Sequence, residues 1–193
     1  RARCGHSAMS LMTTPWLVLL AGLPRTGKST VAEYLASAHG FTRVCSDEVR
    51  DDYRINPWSG DPRENLVHMA THLRSLEPLL MGENVVVDST AMFVGQRRVL
   101  FDTHIFNPAS GALPALTVRR ALVLLEASDE VIEQRYRDIG RRLENRAFYR
   151  ERFHPVTEMP GVTVLRYRND CAADLESIKQ QMPRHLGLSF QPG

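Results

Sequence analysis

The sequence is poor in cysteine and has no apolar run long enough to cross a bilayer. Its three cysteines, Cys4, Cys45 and Cys171, lie far apart and form no CxxC pair, so neither a disulfide framework nor a zinc site is expected. The longest early apolar run covers residues 16–21, well short of the about 20 residues of a membrane-spanning helix. We therefore expect a cytoplasmic protein that does not contact a membrane.

Lysine is nearly absent, although arginine is common. Of 24 Lys and Arg residues, only Lys28 and Lys179 are lysines, and the net charge is +2. A charge this small does not by itself argue for nucleic acid binding. The length of 193 residues and the hydrophobic content of 43% are typical of one globular domain. We expect this domain at residues 13–193, with residues 1–12 a tag remnant or a disordered N-terminus.

Short apolar runs alternate with longer amphipathic segments, which is typical of a parallel sheet flanked by helices. Strands are predicted at residues 16–21, 42–46, 85–88, 121–126 and 162–166. Helices are predicted at residues 28–39, 63–81, 95–106, 128–153 and 172–182. The near-continuous Val and Leu content of the strands favours burial on both faces. We therefore predict an α/β fold of three layers, α/β/α, around a five-stranded parallel sheet.

The helix predicted at residues 63–81 carries an apolar stripe and a proline. The stripe consists of Leu66, Met69, Ala70, Leu73, Leu76 and Leu80, at the spacing of one helix face. Pro78 lacks a backbone N–H, so it is expected to kink this helix or end it early.

A complete phosphate-binding loop, GLPRTGKS, occupies residues 22–29. The pattern GxxxxGK[ST] needs glycines where the backbone turns and points its N–H groups at a polyphosphate. Lys28 would bridge the β and γ phosphates of ATP, and Ser29 would hold Mg²⁺. An apolar run before the loop and a helical run after it match the context that the motif requires. The candidate nucleotide-binding residues are Gly22, Leu23, Pro24, Arg25, Thr26, Gly27, Lys28, Ser29 and Thr30.

Two acidic residues follow predicted strands, where the ligand crevice of an open parallel sheet forms. Asp47 comes after the second strand and is a candidate catalytic residue that takes the proton of an acceptor hydroxyl. Asp88 ends the third strand after three valines and is, with Ser29, a candidate metal ligand. The alternative for each is a helix cap or a turn.

Arg50 lies three residues after Asp47, so both side chains would share one face of a helix that starts there. It is a candidate catalytic residue that pairs the base with a cation for an anionic acceptor. The alternatives are a surface salt bridge, or pairing with Asp51 and Asp52 in a solvated cluster.

The most basic stretch of the chain covers residues 134–155 and is predicted to form a helical lid. A lid arginine over the phosphates would neutralise charge in the transition state. Arg135, Arg137, Arg141 and Arg142 are the candidates, while an ordinary solvated helix face is the alternative.

The ordered set GLPRTGKST, CSDEVR, VVVDST and QRYRDIGRR resembles the polynucleotide-kinase-like and zeta-toxin-like branch of P-loop kinases over about residues 16–155. The resemblance implies that Asp47 is the general base and that Arg50 contacts an acceptor phosphate. It also implies that Asp88 is the third-strand acid and that Arg137 or Arg141 is the catalytic lid arginine. Two departures bear on the acceptor: the family often has Asn after Asp-Thr where this chain reads Asp88-Ser89-Thr90-Ala91, and residues 108–114 resemble an insertion.

Two functions are compatible with these residues. The first is an ATP-dependent kinase that uses Mg²⁺ and phosphorylates an acceptor hydroxyl, either a polynucleotide 5′-hydroxyl or a sugar, nucleoside or antibiotic. The second is a nucleotide-dependent switch, in which nucleotide binding or hydrolysis moves the lid and a partner protein responds to that movement. A catalytic role for Asp47 would distinguish the kinase from the switch.

Overall fold

The computed structural model describes residues 14–55, 62–102, 117–140 and 146–188. The stretch at residues 1–12, the segment at 108–114, Arg141 and Arg142 therefore lie outside the described residues. None of the helices in the described ranges is long and apolar enough to cross a membrane.

Five strands form one sheet in the order β2-β3-β1-β4-β5, and every neighbouring pair is parallel. This confirms the predicted five-stranded parallel sheet. The strands are β1 (Trp16–Ala21), β2 (Thr42–Cys45), β3 (Val85–Asp88), β4 (Arg119–Glu126) and β5 (Thr163–Arg168).

Seven helices connect or follow these strands in the described ranges. They are α1 (Lys28–His39), α2 (Ser46–Asp52), α3 (Glu64–Leu80), α4 (Val94–Phe101), α5 (Asp129–Arg137), α6 (Arg146–Arg152) and α7 (Ala172–His185). The continuous helix predicted over residues 128–153 is wrong. Here α5 ends at Arg137 and a turn follows, in which Gly140 takes a left-handed φ of 65°.

The core lies on both faces of the sheet because side chains of a strand alternate between its faces. On one face, Leu17 and Leu19 of β1 pack with residues of α3 and α4, including Leu79 and Phe101. On the other face, Trp16, Val18 and Leu20 of β1 pack with α1 and α7. Each fully buried leucine contributes roughly 1.5–3 kcal/mol. The result is the three-layer arrangement that the sequence predicts, with β1 at its centre.

The buried face of α3 differs from the predicted stripe. Four of the six predicted residues are exposed, and the buried positions are Val67, Ala70, Thr71, Ser75, Leu76 and Leu79. Thr71 and Ser75 can face inwards because their hydroxyls donate to the helix's own carbonyls, Val67 O at 2.7 Å and His72 O at 2.7 Å. α3 continues through Leu80, so Pro78 does not end it, and the alternative of a kink at Pro78 stays a prediction.

The sheet brings the predicted site residues together at the carboxyl ends of its strands. In the register, Leu20 of β1 and Cys45 of β2 both lie opposite Asp88 of β3. The phosphate-binding loop follows β1, and α2 with Asp47 follows β2. Because parallel strands end on the same side, the three segments meet at the carboxyl edge of the sheet.

Candidate active site

The phosphate-binding loop needs glycine at two positions for its backbone path. Gly22 and Gly27 have φ angles of 142° and 98°, which residues with a side chain rarely adopt. A Cβ on Gly22 would lie 2.2 Å from Leu125 O, and one on Gly27 would lie 2.3 Å from the Asn169 amide nitrogen. The loop therefore packs too closely against β4 and the segment after β5 to accept a side chain at either position.

Lys28 lies at the start of α1 and is buried within this loop. Its Nζ donates to Gly22 O at 3.0 Å and to Leu23 O at 2.8 Å. Burial lowers the pKa of Lys28 to about 8, while the nearby carboxylates of Asp88 and Asp47 act in the opposite direction. The ammonium group is thus poorly solvated, and both predicted acids lie within electrostatic reach of it. Poor solvation strengthens its attraction for phosphate oxygens.

Asp88 is almost completely buried at the end of β3 and accepts a bond from Arg43 of β2. The Arg43 Nη2 to Asp88 Oδ2 distance is 2.8 Å, and the same guanidinium contacts Glu48 at 2.8 Å. Arg43 was not among the sequence candidates. It and Cys45 are two residues apart, so they share one face of β2, and Cys45 is opposite Asp88. The ion pair between Arg43 and Asp88 could be identified only once the order of the strands was known.

Asp88 and Ser29 would supply only two of the ligands of a Mg²⁺ ion. Among the described residues, no group of three or more His, Cys, Asp or Glu side chains could hold a metal ion. Mg²⁺ commonly keeps several waters and takes one or two protein ligands beside the phosphates of its nucleotide. One carboxylate and one hydroxyl next to a phosphate-binding loop fit that pattern.

Asp47 and Arg50 lie on α2, as the sequence predicts if a helix begins there. The N-cap of α2 is Cys45, so the alternative of Asp47 as a cap does not apply. The Asp47 side chain is 84% exposed, whereas that of Arg50 is 13% exposed. Arg50 donates to Asp47 through Nη1, and its Nη2 contacts Glu64 Oε1 at 2.5 Å. Asp51 and Asp52 were the expected alternative partners, yet these contacts involve Asp47 and Glu64.

Several side chains from other helices surround this pair, and no sequence motif marks them. Glu64 and His68 lie one turn apart on α3, and the His68 ring contacts the Gln96 amide of α4 at 2.8 Å. Burial lowers the pKa of His68. Burial raises the pKa of Tyr149 on α6 to about 12, and the neighbouring Tyr136 acts in the same direction. The charges of Asp47 and Glu64 also raise this pKa, whereas the charge of Arg50 lowers it.

Among the candidate arginines, Arg135 reaches the phosphate-binding loop. It donates to Arg25 O at 2.9 Å and to Asn169 O at 3.0 Å. The Asn169 side chain in turn donates to Thr26 O at 2.9 Å. Arg137 is exposed and donates to Gln134 at 2.8 Å. The catalytic assignments of Arg137 and Arg141 remain predictions, while Arg135 and Asn169 anchor the loop.

A cavity lies beside this anchor, between α5 and the start of α7. Its volume is about 320 Å³, and its lining includes Arg135, Asn169, Asp170, Cys171 and Leu175. Cys171 is an exposed free thiol. Arg135 and Asn169 therefore contact both the loop and this space.

Several solved kinases have the same fold. A sugar kinase from Janibacter sp. HTCC2649 is 15% identical, with a TM-score of 0.61 over 92% of this chain and 96% of that chain. A gluconokinase from Sinorhizobium meliloti 1021 is 19% identical, with a TM-score of 0.58 over 90% of this chain and 96% of that chain. The Mycobacterium tuberculosis APS kinase CysC, solved with AMPPNP and APS, is 15% identical, with a TM-score of 0.57 over 90% and 98%.

At these identities the likeness shows a common fold, that of P-loop kinases. No curated protein sequence matches the chain. The polynucleotide-kinase-like and zeta-toxin-like branch, which the sequence resembles, stays a prediction. A family model described as "AAA domain" matches residues 17–152, and the chain therefore belongs to the AAA domain family.

Proposed function

We propose that the protein is an ATP-dependent phosphotransferase that moves the γ-phosphate of ATP to an acceptor hydroxyl. The observation that carries this proposal is the buried Lys28 ammonium in the phosphate-binding loop, within electrostatic reach of both Asp47 and Asp88. A cation for the donor phosphates and a carboxylate for the acceptor proton are the parts that phosphoryl transfer needs.

The donor half consists of the loop and its anchor. Backbone N–H groups of the loop other than Pro24, together with those at the N-terminus of α1, would bind the phosphates, and Lys28 would contact the β and γ groups. The cavity beside Arg135 would hold the nucleoside. Ser29 and Asp88 would hold Mg²⁺, which neutralises charge on the phosphates.

The acceptor half contains Asp47. In the proposed step the acceptor oxygen bonds to the γ-phosphorus, the bond from that phosphorus to the bridging oxygen of ADP breaks, and Asp47 takes the hydroxyl proton. Arg50 holds the Asp47 carboxylate in position through its Nη1 group. The exposed Asp47 side chain is accessible to an incoming hydroxyl.

The lid arginine remains part of the proposal. Arg137 or Arg141 would move towards the γ-phosphate when nucleotide binds, whereas Arg135 already contacts the loop backbone. α6 is joined to α5 through the ion pair between Arg150 and Asp129. A lid residue of this kind would stabilise the charge of the transferring group.

Incubation with γ-labelled ATP and separate pools of 5′-hydroxyl oligonucleotides, nucleosides, sugars and aminoglycosides tests the function. We expect labelled product in one pool. Asp47→Asn should reduce transfer at least about 100-fold with little change in ATP affinity. Lys28→Ala should weaken ATP binding and abolish transfer.

Glu33→Gln on the exposed face of α1 is the control for Asp47→Asn, because it also replaces a carboxylate by an amide. It should behave as the wild type. Full transfer by Asp47→Asn would exclude Asp47 as the base. A protein partner whose affinity differs between ATP and ADP, with no labelled product in any pool, would instead support the switch.

A further inference from the structure

Arg50 is the cation that would contact an acceptor phosphate, yet its guanidinium is already bound by two carboxylates. Nε donates to both Glu64 oxygens at 3.2 and 3.1 Å, and Nη2 donates to Glu64 Oε1 at 2.5 Å. Nη1 donates to Asp47. All three nitrogens of the group are thus engaged, and the side chain is only 13% exposed.

The packing of α2 on α3 holds these side chains together. Val49 and Ile55 pack against Val67 and Ala70 of α3, and all four are buried. Glu64 begins α3 one turn before Val67, so this cluster sets its distance from Arg50 on α2. Burial lowers the pKa of Arg50, but the bond to Glu64 and the charges of Glu64 and Asp47 outweigh it, and the pKa is raised. An anionic ligand would have to replace a partly buried bidentate pair.

The group formed by Asp47, Arg50 and Glu64 has two carboxylates and one guanidinium, so its net charge is −1. Burial lowers the pKa of the His68 ring, which disfavours a positive charge there. With a pKa raised to about 12, Tyr149 is neutral. A phosphate or carboxylate placed beside this group would meet like charge.

Three arginines on the surrounding elements are paired as well. Arg43 on β2 contacts Asp88 and Glu48, Arg74 on α3 contacts Asp52, and Arg150 on α6 contacts Asp129. Lys28 donates to the carbonyls of the loop, on the donor side. On the acceptor side, the carboxylate oxygens of Asp47 and Glu64 can accept hydrogen bonds from hydroxyl and amine groups. The His68 ring and the Gln96 amide lie beside them and contact each other at 2.8 Å.

We propose that the acceptor is a small polyhydroxyl compound without negative charge. Glu64 excludes anionic acceptors because its ion pair with Arg50 leaves that guanidinium unavailable to them. The inference rests on the proposed kinase function and specifies its substrate class. It separates neutral sugars, nucleosides and aminoglycosides from sugar acids, sugar phosphates and the 5′ end of a polynucleotide. In the last of these, a phosphate follows the reacting nucleoside and would approach Glu64.

The test compares acceptors that carry the same hydroxyl with and without an anionic group. The pairs are adenosine with adenosine 3′-monophosphate, and glucose with gluconate, with an aminoglycoside as a cationic member. For the pair whose neutral member is a substrate, we expect kcat/KM to be at least about tenfold higher than for the anionic member. Preference of the wild type for the anionic member would overturn the inference, while leaving the kinase function intact.

Glu64→Gln tests the role of Glu64 directly. Removal of its charge frees Arg50, so kcat/KM for the anionic member should rise about tenfold, mainly through a lower KM, with the KM for ATP unchanged. Glu77→Gln, an exposed position on the same helix, is the matched control and should leave the ratio unchanged. Glu64→Asp keeps the charge and should retain the preference of the wild type.

Three further outcomes are distinguishable. An unchanged ratio in a folded, ATP-binding Glu64→Gln protein would overturn the role of Glu64. If that variant does not fold, the acceptor pairs with the wild type and with Glu64→Asp still decide the preference. If the wild type phosphorylates no member of any pool, the proposed function itself is wrong, and the inference falls with it.

Discussion

Replacement of Gly27 by alanine tests the close contact between the phosphate-binding loop and the segment after β5. The new Cβ would lie 2.3 Å from the Asn169 Nδ2 atom, in a backbone conformation with φ of 98°. Asn169 would have to move, and its hydrogen bond to Thr26 O at 2.9 Å would be lost. Because this bond joins the loop to the cavity wall, both stability and nucleotide affinity should respond.

The cost has two components. A side chain in the left-handed region costs about 1–2 kcal/mol, and loss of the Asn169 bond costs about 1 kcal/mol. The free energy of unfolding should therefore fall by about 2–3 kcal/mol. For a domain of this size, that corresponds to a decrease in Tm of about 4–12 °C.

Thermal unfolding and ATP binding measure the two effects. Gly40→Ala is the control, because Gly40 also has a positive φ, of 65°, but a Cβ there would meet no atom within 4 Å. It isolates the backbone strain from the contact. The double variant Gly27→Ala with Asn169→Ala should remove the clash. If Gly27→Ala unfolds at the same temperature as Gly40→Ala and binds ATP like the wild type, the close contact does not hold the loop.

Three further predictions concern Lys28, Cys171 and Arg43. The pKa of Lys28 is about 8 in the fold, against 10.5 for an unperturbed lysine, so the unfolded chain binds more protons between these two pH values. The free energy of unfolding should therefore rise by up to about 3 kcal/mol from pH 8 to pH 10.5, as measured by denaturant titration. Saturating ATP should slow maleimide labelling of Cys171, which lines the cavity, while buried Cys45 stays unlabelled. Arg43→Met should destabilise the protein by about 2–4 kcal/mol in chemical unfolding, because it leaves Asp88 buried without its arginine.

Each of these predictions has a result that contradicts it. Lys28→Met should abolish the rise above pH 8, and a variant that keeps the full rise would assign it to other groups. Equal labelling of Cys171 with and without ATP would mean that nucleotide does not enter the cavity. Arg98→Met, an exposed arginine on α4, is the control for Arg43→Met. Equal stability of these two variants would refute the role of the Arg43 pair.

The strands and the phosphate-binding loop could be predicted because their signals are local. A run such as Trp16–Ala21 is apolar throughout because both faces of a central parallel strand are buried. Helix faces were harder to predict. On α3, Thr71 and Ser75 are buried because their hydroxyls bond to the helix backbone, and Leu66, Met69 and Leu73 are exposed although they have helical spacing.

The candidate site divides in the same way. The loop, Asp47, Arg50 and Asp88 were predicted from motifs, and the structure brings them to one edge of the sheet. The pairing of Asp47 with Arg50 follows from their spacing, whereas two other partners could not be predicted, because no motif joins Arg43 to Asp88 or Glu64 to Arg50. Each of these pairs depends on which strands or helices are neighbours.

The sequence by itself determined the parallel sheet, the phosphate-binding loop and the acids that follow the strands, since each depends on residues within one short segment. Only the tertiary structure decided which residues from distant segments pair with those groups. Asn169 donates a hydrogen bond to the loop from 143 residues away along the chain. Glu64 on α3 pairs with Arg50 on α2 where these two helices pack together. The physical reason is that hydrogen bonds and charges act over a few ångströms in space, whatever the distance along the chain.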